Sequence, residues 1–284
     1  MRLKTRLGIV VGIVGACGAP TASAADWFSQ EFMNPYDETF ILELGGILNQ
    51  FDTRLRLDGT TSGGGIGHGS DVNLENNGLK KNLSSFEGEA TWRLYKRHRI
   101  DLDYYSVKRS GSRTYQTDID IGGNDYPLGA TVGITNKYQL FEVDYRYSFI
   151  QHPEYELAGV IGAYGGKLTF DVNAVGNAGS VAAAYNKSSS TTVPLPTIGL
   201  SWDWYPSKQV KISALAAGMK AKISDVDGRV ALFSLDGDYM FTRSFGAGLR
   251  YSYVDITADV TKDSFNGHFG WQANSISLYA KLAF

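Results

Sequence analysis

Cysteine is almost missing from this chain: its 284 residues include one, Cys17, and that one lies in the apolar N-terminal segment. Without that segment there is no thiol, and so no disulfide framework, thiolate nucleophile or cysteine-ligated metal. Proline is scarce, with 7 residues, and long apolar runs are absent after the N-terminal segment. A membrane-spanning helix needs roughly 18 consecutive apolar residues, so the helical membrane class is excluded. Mean hydropathy is only −0.19, a value ordinary for a water-soluble chain. Neither sign of charge dominates, and a formal net charge of −2 supplies no electrostatic footprint for nucleic acid. An aromatic content of 13% disfavours disorder.

The N-terminus carries an address. Arg2, Lys4 and Arg6 precede the apolar run Leu7 to Ala19, and Ala22-Ser23-Ala24 follows. A basic start, a short apolar stretch and an A-x-A site predict a secretory signal peptide over 1–24, cleaved after Ala24. Cleavage takes the formal charge from −2 to −5, because only basic residues are removed. A rival reading takes Val14-Gly15-Ala16-Cys17 as a lipobox with Cys17 lipidated. Residues 25–38 are predicted to be a short periplasmic lead-in.

From residue 39 onward the chain alternates with period two, the mark of strands with two unlike faces. Phe86, Gly88, Ala90, Trp92 and Leu94 take one face, and Glu87, Glu89, Thr91 and Arg93 the other. Phe141, Val143, Tyr145, Tyr147 and Phe149 alternate with Glu142, Asp144, Arg146 and Ser148. Ten strands are predicted, at 39–57, 83–95, 99–109, 131–149, 155–173, 193–205, 209–223, 228–241, 245–257 and 266–284. Residues 58–82, 110–130 and 174–192 are read as polar loops. The other connections are short, and Asp227-Gly228 is read as a tight hairpin turn.

Short turns at one end and long loops at the other, with an even strand count, fit an all-β transmembrane antiparallel up-and-down β-barrel over 39–284. Ten strands are expected, with eight or twelve as alternatives. A soluble sandwich also alternates, but it does not need strands of 13–19 residues when globular strands average about 5–6. Tyr147, Phe149, Trp204, Phe241, Phe245 and Phe284 fall near the predicted periplasmic end, as an aromatic girdle should.

The last nine residues, Ile276 to Phe284 (ISLYAKLAF), resemble the C-terminal assembly signal of Gram-negative outer-membrane proteins, carried by Ile276, Leu278, Tyr279, Leu282 and Phe284. More widely, Asp71 to Leu79 (DVNLENNGL), Arg97-His98-Arg99, Arg109-Ser110-Gly111, and Pro194-Leu195-Pro196 followed by Gly199-Leu200 resemble a family of uncharacterised proteobacterial outer-membrane barrels. The resemblance implies a fold and a location, the Gram-negative outer membrane. It also implies partners: outer-membrane lipid and lipopolysaccharide, and the β-barrel assembly machinery.

Charged residues should avoid lipid, since a lysine or arginine facing the bilayer midplane costs roughly 2–4 kcal/mol. The face assignment therefore predicts a lumen charge network. Its acids are Glu43, Glu87, Glu89, Asp101, Asp103, Glu142, Asp144, Asp203, Asp236 and Asp238; its bases are Arg93, Arg146, Lys211, Arg250 and Lys281. The acid surplus calls for counter-ions. A ten-stranded barrel is near the size at which side chains fill the interior, so a plugged lumen is expected. The function then lies in structure, or in binding an extracellular ligand through the loops. A narrow cation-preferring channel is the alternative, because rings of Asp and Glu select cations.

Catalytic motifs are absent. No His-E-x-x-His occurs, and Gly63 to Gly69 lacks the ending of a phosphate loop. No cofactor or metal is expected, although Asp118-Ile119-Asp120 with Asn124-Asp125, and Asp225-Val226-Asp227-Gly228, offer oxygen ligands suited to calcium. A surface hydrolase of the omptin or lipid-modifying type is the remaining alternative. It would use His268 or His68 with Asp71, Asp118, Asp120, Asp255, Asp259 or Asp263 near the outer rim.

Overall fold

The computed structural model describes residues 38–60, 66–67, 72–76, 78–114, 119–121, 124–126, 131–178, 181–223, 226–262 and 265–284. The leader, Cys17, Ala24, the lead-in up to residue 37, and His68, Asp71, Asp118, Asp225 and Asp263 lie outside the described residues.

Ten long strands form one antiparallel sheet: β1 (Phe40–Thr60), β2 (Asn82–Tyr95), β3 (His98–Thr114), β4 (Thr131–His152), β5 (Tyr155–Ala178), β6 (Val181–Ser207), β7 (Val210–Ile223), β8 (Val226–Met240), β9 (Phe245–Lys262) and β10 (Phe265–Ala283). Each pairs with its neighbours in sequence, and β10 returns to β1 from Ile41↔Ala283 to Asp58↔Asn266. The result is a closed up-and-down barrel of ten strands, as the alternation predicts. Closure satisfies the edges that an open sheet would leave unpaired, a requirement in lipid. The ends meet: Phe40 N–H and Thr39 N–H both donate to the Phe284 carbonyl, at 3.1 and 2.8 Å, and the Phe40 and Phe284 rings lie 6.2 Å apart.

The outer surface carries the apolar belt. Leu48, Phe86, Leu102, Phe141, Ile161, Ile198, Leu200, Leu249, Ile276 and Leu278 all point outward and are exposed. A water-soluble protein would bury such a band, because apolar area in water is unfavourable by about 25 cal/mol per Å². At the turn end the belt is edged by rings: Trp202 stacks on Trp204 at 6.3 Å, Phe241 meets Tyr239 at 5.4 Å and Phe245 at 5.7 Å. The turn histidines join this girdle. His98 Nδ1 lies 2.6 Å from the Tyr145 hydroxyl, and His152 stacks on Tyr155 at 4.9 Å. Of the predicted assembly-signal residues, Ile276, Leu278 and Phe284 are exposed on the outward face, and Leu282 shares that face by alternation, whereas Tyr279 is buried inward.

Three sequence expectations need correction at the far end. Residues 174–192, expected to be a loop, continue β5 and β6 as a paired ribbon up to Ala178↔Val181. Thr, Ser, Asn and Ala at alternate positions leave no apolar period, so the sequence carries no strand signal there. Residues 110–114 likewise extend β3, and Ile119–Ile121 pairs with Asn124–Tyr126 as a small ribbon beyond it. The hairpin turn is not Asp227-Gly228. Both lie in β8, with Asp227 opposite Lys222, and the described ladder runs on to Ile223↔Val226.

The β6–β7 seam is short. It runs from Ser207↔Val210 only to Ile198↔Gly218, while β6 above that point pairs with β5 alone. Pro194 and Pro196 lie just above, and proline has no N–H to donate to a ladder. The pairing with β5 passes through both prolines unbroken, so it is the β7 side that goes without partners.

Candidate functional site

The lumen holds two unlike levels. At the turn end, alternation on ten strands brings charged side chains into one mesh. Arg93 grips Glu156 with both guanidinium nitrogens, at 3.2 and 3.1 Å, and Ser148 Oγ donates to the same carboxylate. Arg99 bridges Asp203 at 3.0 Å and Asp101 at 3.6 Å, and Arg146 reaches Asp101 at 2.6 Å. The Thr91 hydroxyl donates to the other Asp101 oxygen at 2.6 Å. Across the barrel, Lys281 holds Asp238 at 2.6 Å and Glu43 at 3.3 Å. Arg250 lies between Glu43 at 2.8 Å and Glu89 at 2.7 Å, also bonds Asp236, and stacks over the Tyr279 ring. Buried charges need this kind of pairing, because desolvation costs several kcal/mol per ion otherwise.

Above this floor is a chamber of about 160 Å³, lined among others by Glu87, Glu89, Asp103, Glu142, Lys211 and Arg250. Among the described residues, Glu87, Asp103, Glu142 and Asp144 take part in no ion pair. The acid surplus is thus concentrated at mid-height. Gly162 makes room there, since a Cβ at that position would run into the Asp144 carboxylate. Among the described residues no cluster of three or more His, Asp or Glu has metal-binding geometry.

The outer level is apolar. Phe51, Tyr138, Leu140, Tyr164, Leu195, Val230, Leu232, Ile256 and Trp271 form one buried cluster. Tyr138 and Phe51 pack against Trp271 at 5.4 and 6.0 Å. A second cavity of only about 40 Å³ is lined by Tyr138 and Trp271 with Leu195, Ala258 and Phe269. Arg109 closes this layer with no solvent exposure: its guanidinium lies 4.3 Å over the Phe51 ring, and it donates to Thr53 Oγ1 at 2.7 Å and the Tyr138 hydroxyl at 2.8 Å. Its counter-charge is Glu75, at 2.5 Å, on the segment joining β1 to β2. Glu75 also accepts the Thr53 N–H at 2.7 Å, and Leu74 and Leu79 are buried beside it. This strap touches β3 closely: a Cβ on Gly111 would strike the Gly78 carbonyl, and Gly78 has φ +95°, a conformation other residues adopt rarely.

All fifteen predicted network residues lie on inward positions, distributed between floor and chamber. Arg99 and Glu156 also belong to the floor, and Arg109 and Glu75 to the outer clasp, although the sequence reading named none of the four as lumen charges. Alternation from Asp101 and Asp103 places Arg99 and Arg109 inward, so parity alone held that signal. Two segments quoted for family resemblance meet here, DVNLENNGL through Glu75 and Gly78, and Arg109-Ser110-Gly111. His268 behaves differently. It pairs with Asp259 at 2.7 Å on the outward face, and neither cavity is lined by it.

The fold and the apolar belt define the class: this is the architecture of the Gram-negative outer-membrane β-barrels. Among solved structures it is similar to the outer membrane protease OmpT from Escherichia coli, with a TM-score of 0.54 at 10% identity over 90% of this chain and 99% of that one. At that identity the likeness is one of fold. The attachment invasion locus protein Ail of Yersinia pestis aligns over 85% of this chain and 98% of its own at 11% identity, with a TM-score of 0.29, too low to bear on function. No family model and no curated sequence matches this chain.

Proposed function

We propose that the protein is a closed outer-membrane anchor: a barrel exported with a leader removed near Ala24, whose lumen does not conduct and whose outer segments carry its structural or surface-interaction role. The observation that supports this most is the double filling of the lumen. Phe51, Tyr138 and Trp271 fill one level, and the Arg93–Glu156, Arg99–Asp203 and Lys281–Asp238 pairs fill the other. Ile276, Leu278, Leu282 and Phe284 offer an apolar edge to the assembly machinery, with Tyr279 tucked inward against Asp238.

The refolded mature chain in a planar bilayer under a salt gradient tests the proposal, and a folded, silent barrel is the expected outcome. The second reading is a narrow cation-preferring channel. It draws support from the unpaired acids around the chamber, and steady openings with a cation-directed reversal potential would put it first. A folded barrel that cleaves peptide or lipid, and loses that activity in His268→Ala, would replace both readings with a surface hydrolase.

A further inference from the structure

The outer shoulder of the barrel, the outward surface just beyond the apolar belt, is uneven in charge. On the β1 and β7–β10 side acids stand among the bases: Arg54 with Asp52 at 3.4 Å, Lys220 with Asp227 at 3.6 Å, Arg229 with Asp255 at 3.4 Å and His268 with Asp259 at 2.7 Å, while Lys222 is exposed directly opposite Asp227. On the β3–β5 side Lys108, Lys137 and Lys167 are all exposed, and none takes part in an ion pair among the described residues.

Their placement is unfavourable in isolation. Lys108 and Lys137 are direct cross-strand partners, and Lys167 opposite Gln139 is the diagonal neighbour of Lys137. All three point outward, because Val107, Arg109, Asn136, Tyr138 and Tyr164 are the buried, inward members of the same strands. Like charges directly opposite on one face destabilise a sheet. Asp171, opposite Thr135 on the next rung, pairs with none of them. Directly below lie the Tyr104 and Phe141 rings, 4.9 Å apart, on the same face and exposed. Lys108 lies four positions beyond Tyr104, about 13 Å along a strand. The ammonium groups therefore stand at headgroup height above a ring pair at the edge of the acyl layer.

We infer that Lys108, Lys137 and Lys167 form a binding site for the phosphate of an outer-leaflet glycolipid, with its acyl chains laid over Tyr104 and Phe141. A phosphate between the lysines turns a repulsive cluster into charge-assisted hydrogen bonds. This inference rests on the outer-membrane reading above, and names one lipid contact within it.

The test uses the full mature barrel folded in detergent, with folding followed separately by its heat-modifiable gel band. The probes are phosphorylated lipopolysaccharide, the same glycolipid with its phosphates removed, and inorganic phosphate. Wild type should retain the phosphorylated form, and Lys108→Gln/Lys137→Gln/Lys167→Gln should weaken retention by at least about tenfold. Lys220→Gln/Arg229→Gln on the opposite shoulder should retain it fully, as should Lys137→Arg. The sign of one variant separates binding from a structural role. Without glycolipid Lys137→Gln should raise the unfolding midpoint by relieving repulsion, and with glycolipid it should lower it. Equal retention of the dephosphorylated form, or a lower midpoint under both conditions, would overturn the inference. So would equal stabilisation by millimolar inorganic phosphate, which would assign the site to a free anion. Failure to form any heat-modifiable band would instead remove the barrel reading on which the inference stands.

Discussion

The two levels of the lumen are built from the same ten strands on opposite principles. The outer clasp is an apolar cluster with one buried cation, Arg109, whose counter-charge comes from a single carboxylate on the strap, Glu75. The floor is a mesh in which Asp101 serves two arginines, Arg250 serves three acids and Lys281 two. A clasp that depends on one pair is vulnerable at that pair. A mesh distributes the loss of any one member among the others.

That contrast sets the order of expected effects. Glu75→Leu should be the most damaging, costing about 3–5 kcal/mol, because it leaves Arg109 charged, buried and without its carboxylate. Denaturant unfolding of the refolded barrel in lipid vesicles measures this, and a cost below 1 kcal/mol would show that Thr53, Tyr138 and the ring contacts suffice. Trp271→Ala follows, at about 3–4 kcal/mol from lost apolar burial and a cavity between Phe51 and Tyr138. In a planar bilayer Trp271→Ala should still be silent, because the floor stays closed. Only when it is combined with Arg93→Ala, which opens the Glu156 pair, should stepwise conductance begin. Current through the single variant would mean that the floor is leaky and the comparison misdrawn.

In the mesh, Glu43→Gln should cost only about 1 kcal/mol, since Lys281 keeps Asp238 and Arg250 keeps Glu89 and Asp236. A loss as large as that of Glu75→Leu would erase the distinction between clasp and mesh. Least of all, Lys220→Gln on the exposed shoulder should change stability by less than about 1 kcal/mol, the ordinary worth of a surface ion pair. A larger change would give that pair a part in holding β7 to β8.

The seam between β6 and β7 sharpens the same contrast. Leu195 belongs to the apolar level, and a Cβ on Gly228 would come within 2.8 Å of its Cδ2. Where the ladder stops at Ile198↔Gly218, side-chain packing across the interior takes over from backbone hydrogen bonds. The floor, by contrast, lies where the strands are paired on both sides.

Much of this was legible in the chain. Ten runs of period-two alternation set the strand number, and parity sorted every predicted network residue to the inward face, because a charge facing lipid costs more than one facing a polar lumen. The alternation rule used there, apolar outward and polar inward, holds only within the bilayer. On β1, Leu44 and Leu48 point out while Glu43 and Asn49 point in; two residues further, Phe51 points in while Asp52 and Arg54 point out. The pattern inverts where the outer surface leaves lipid for water. A reading that assumes one solvent throughout therefore finds most of the floor, without Arg99 and Glu156, and misses the clasp. The β5–β6 ribbon escaped because residues 174–192 alternate no apolar with polar positions, and period two is the only strand signal the chain offers.

The sequence by itself therefore determined the strand count, the two faces of each strand and the location of the apolar belt, all local consequences of a two-residue period and of hydrophobicity. The tertiary structure alone decided which acid answers which base, that Glu75 crosses to Arg109, that the β6–β7 ladder stops short, and that three lysines on different strands share one patch. Those depend on register and curvature, which bring together residues 207 positions apart in Arg250 and Glu43, 226 apart in Ser275 and Asn49, and farther still in Lys281 and Glu43. No local periodicity carries that information.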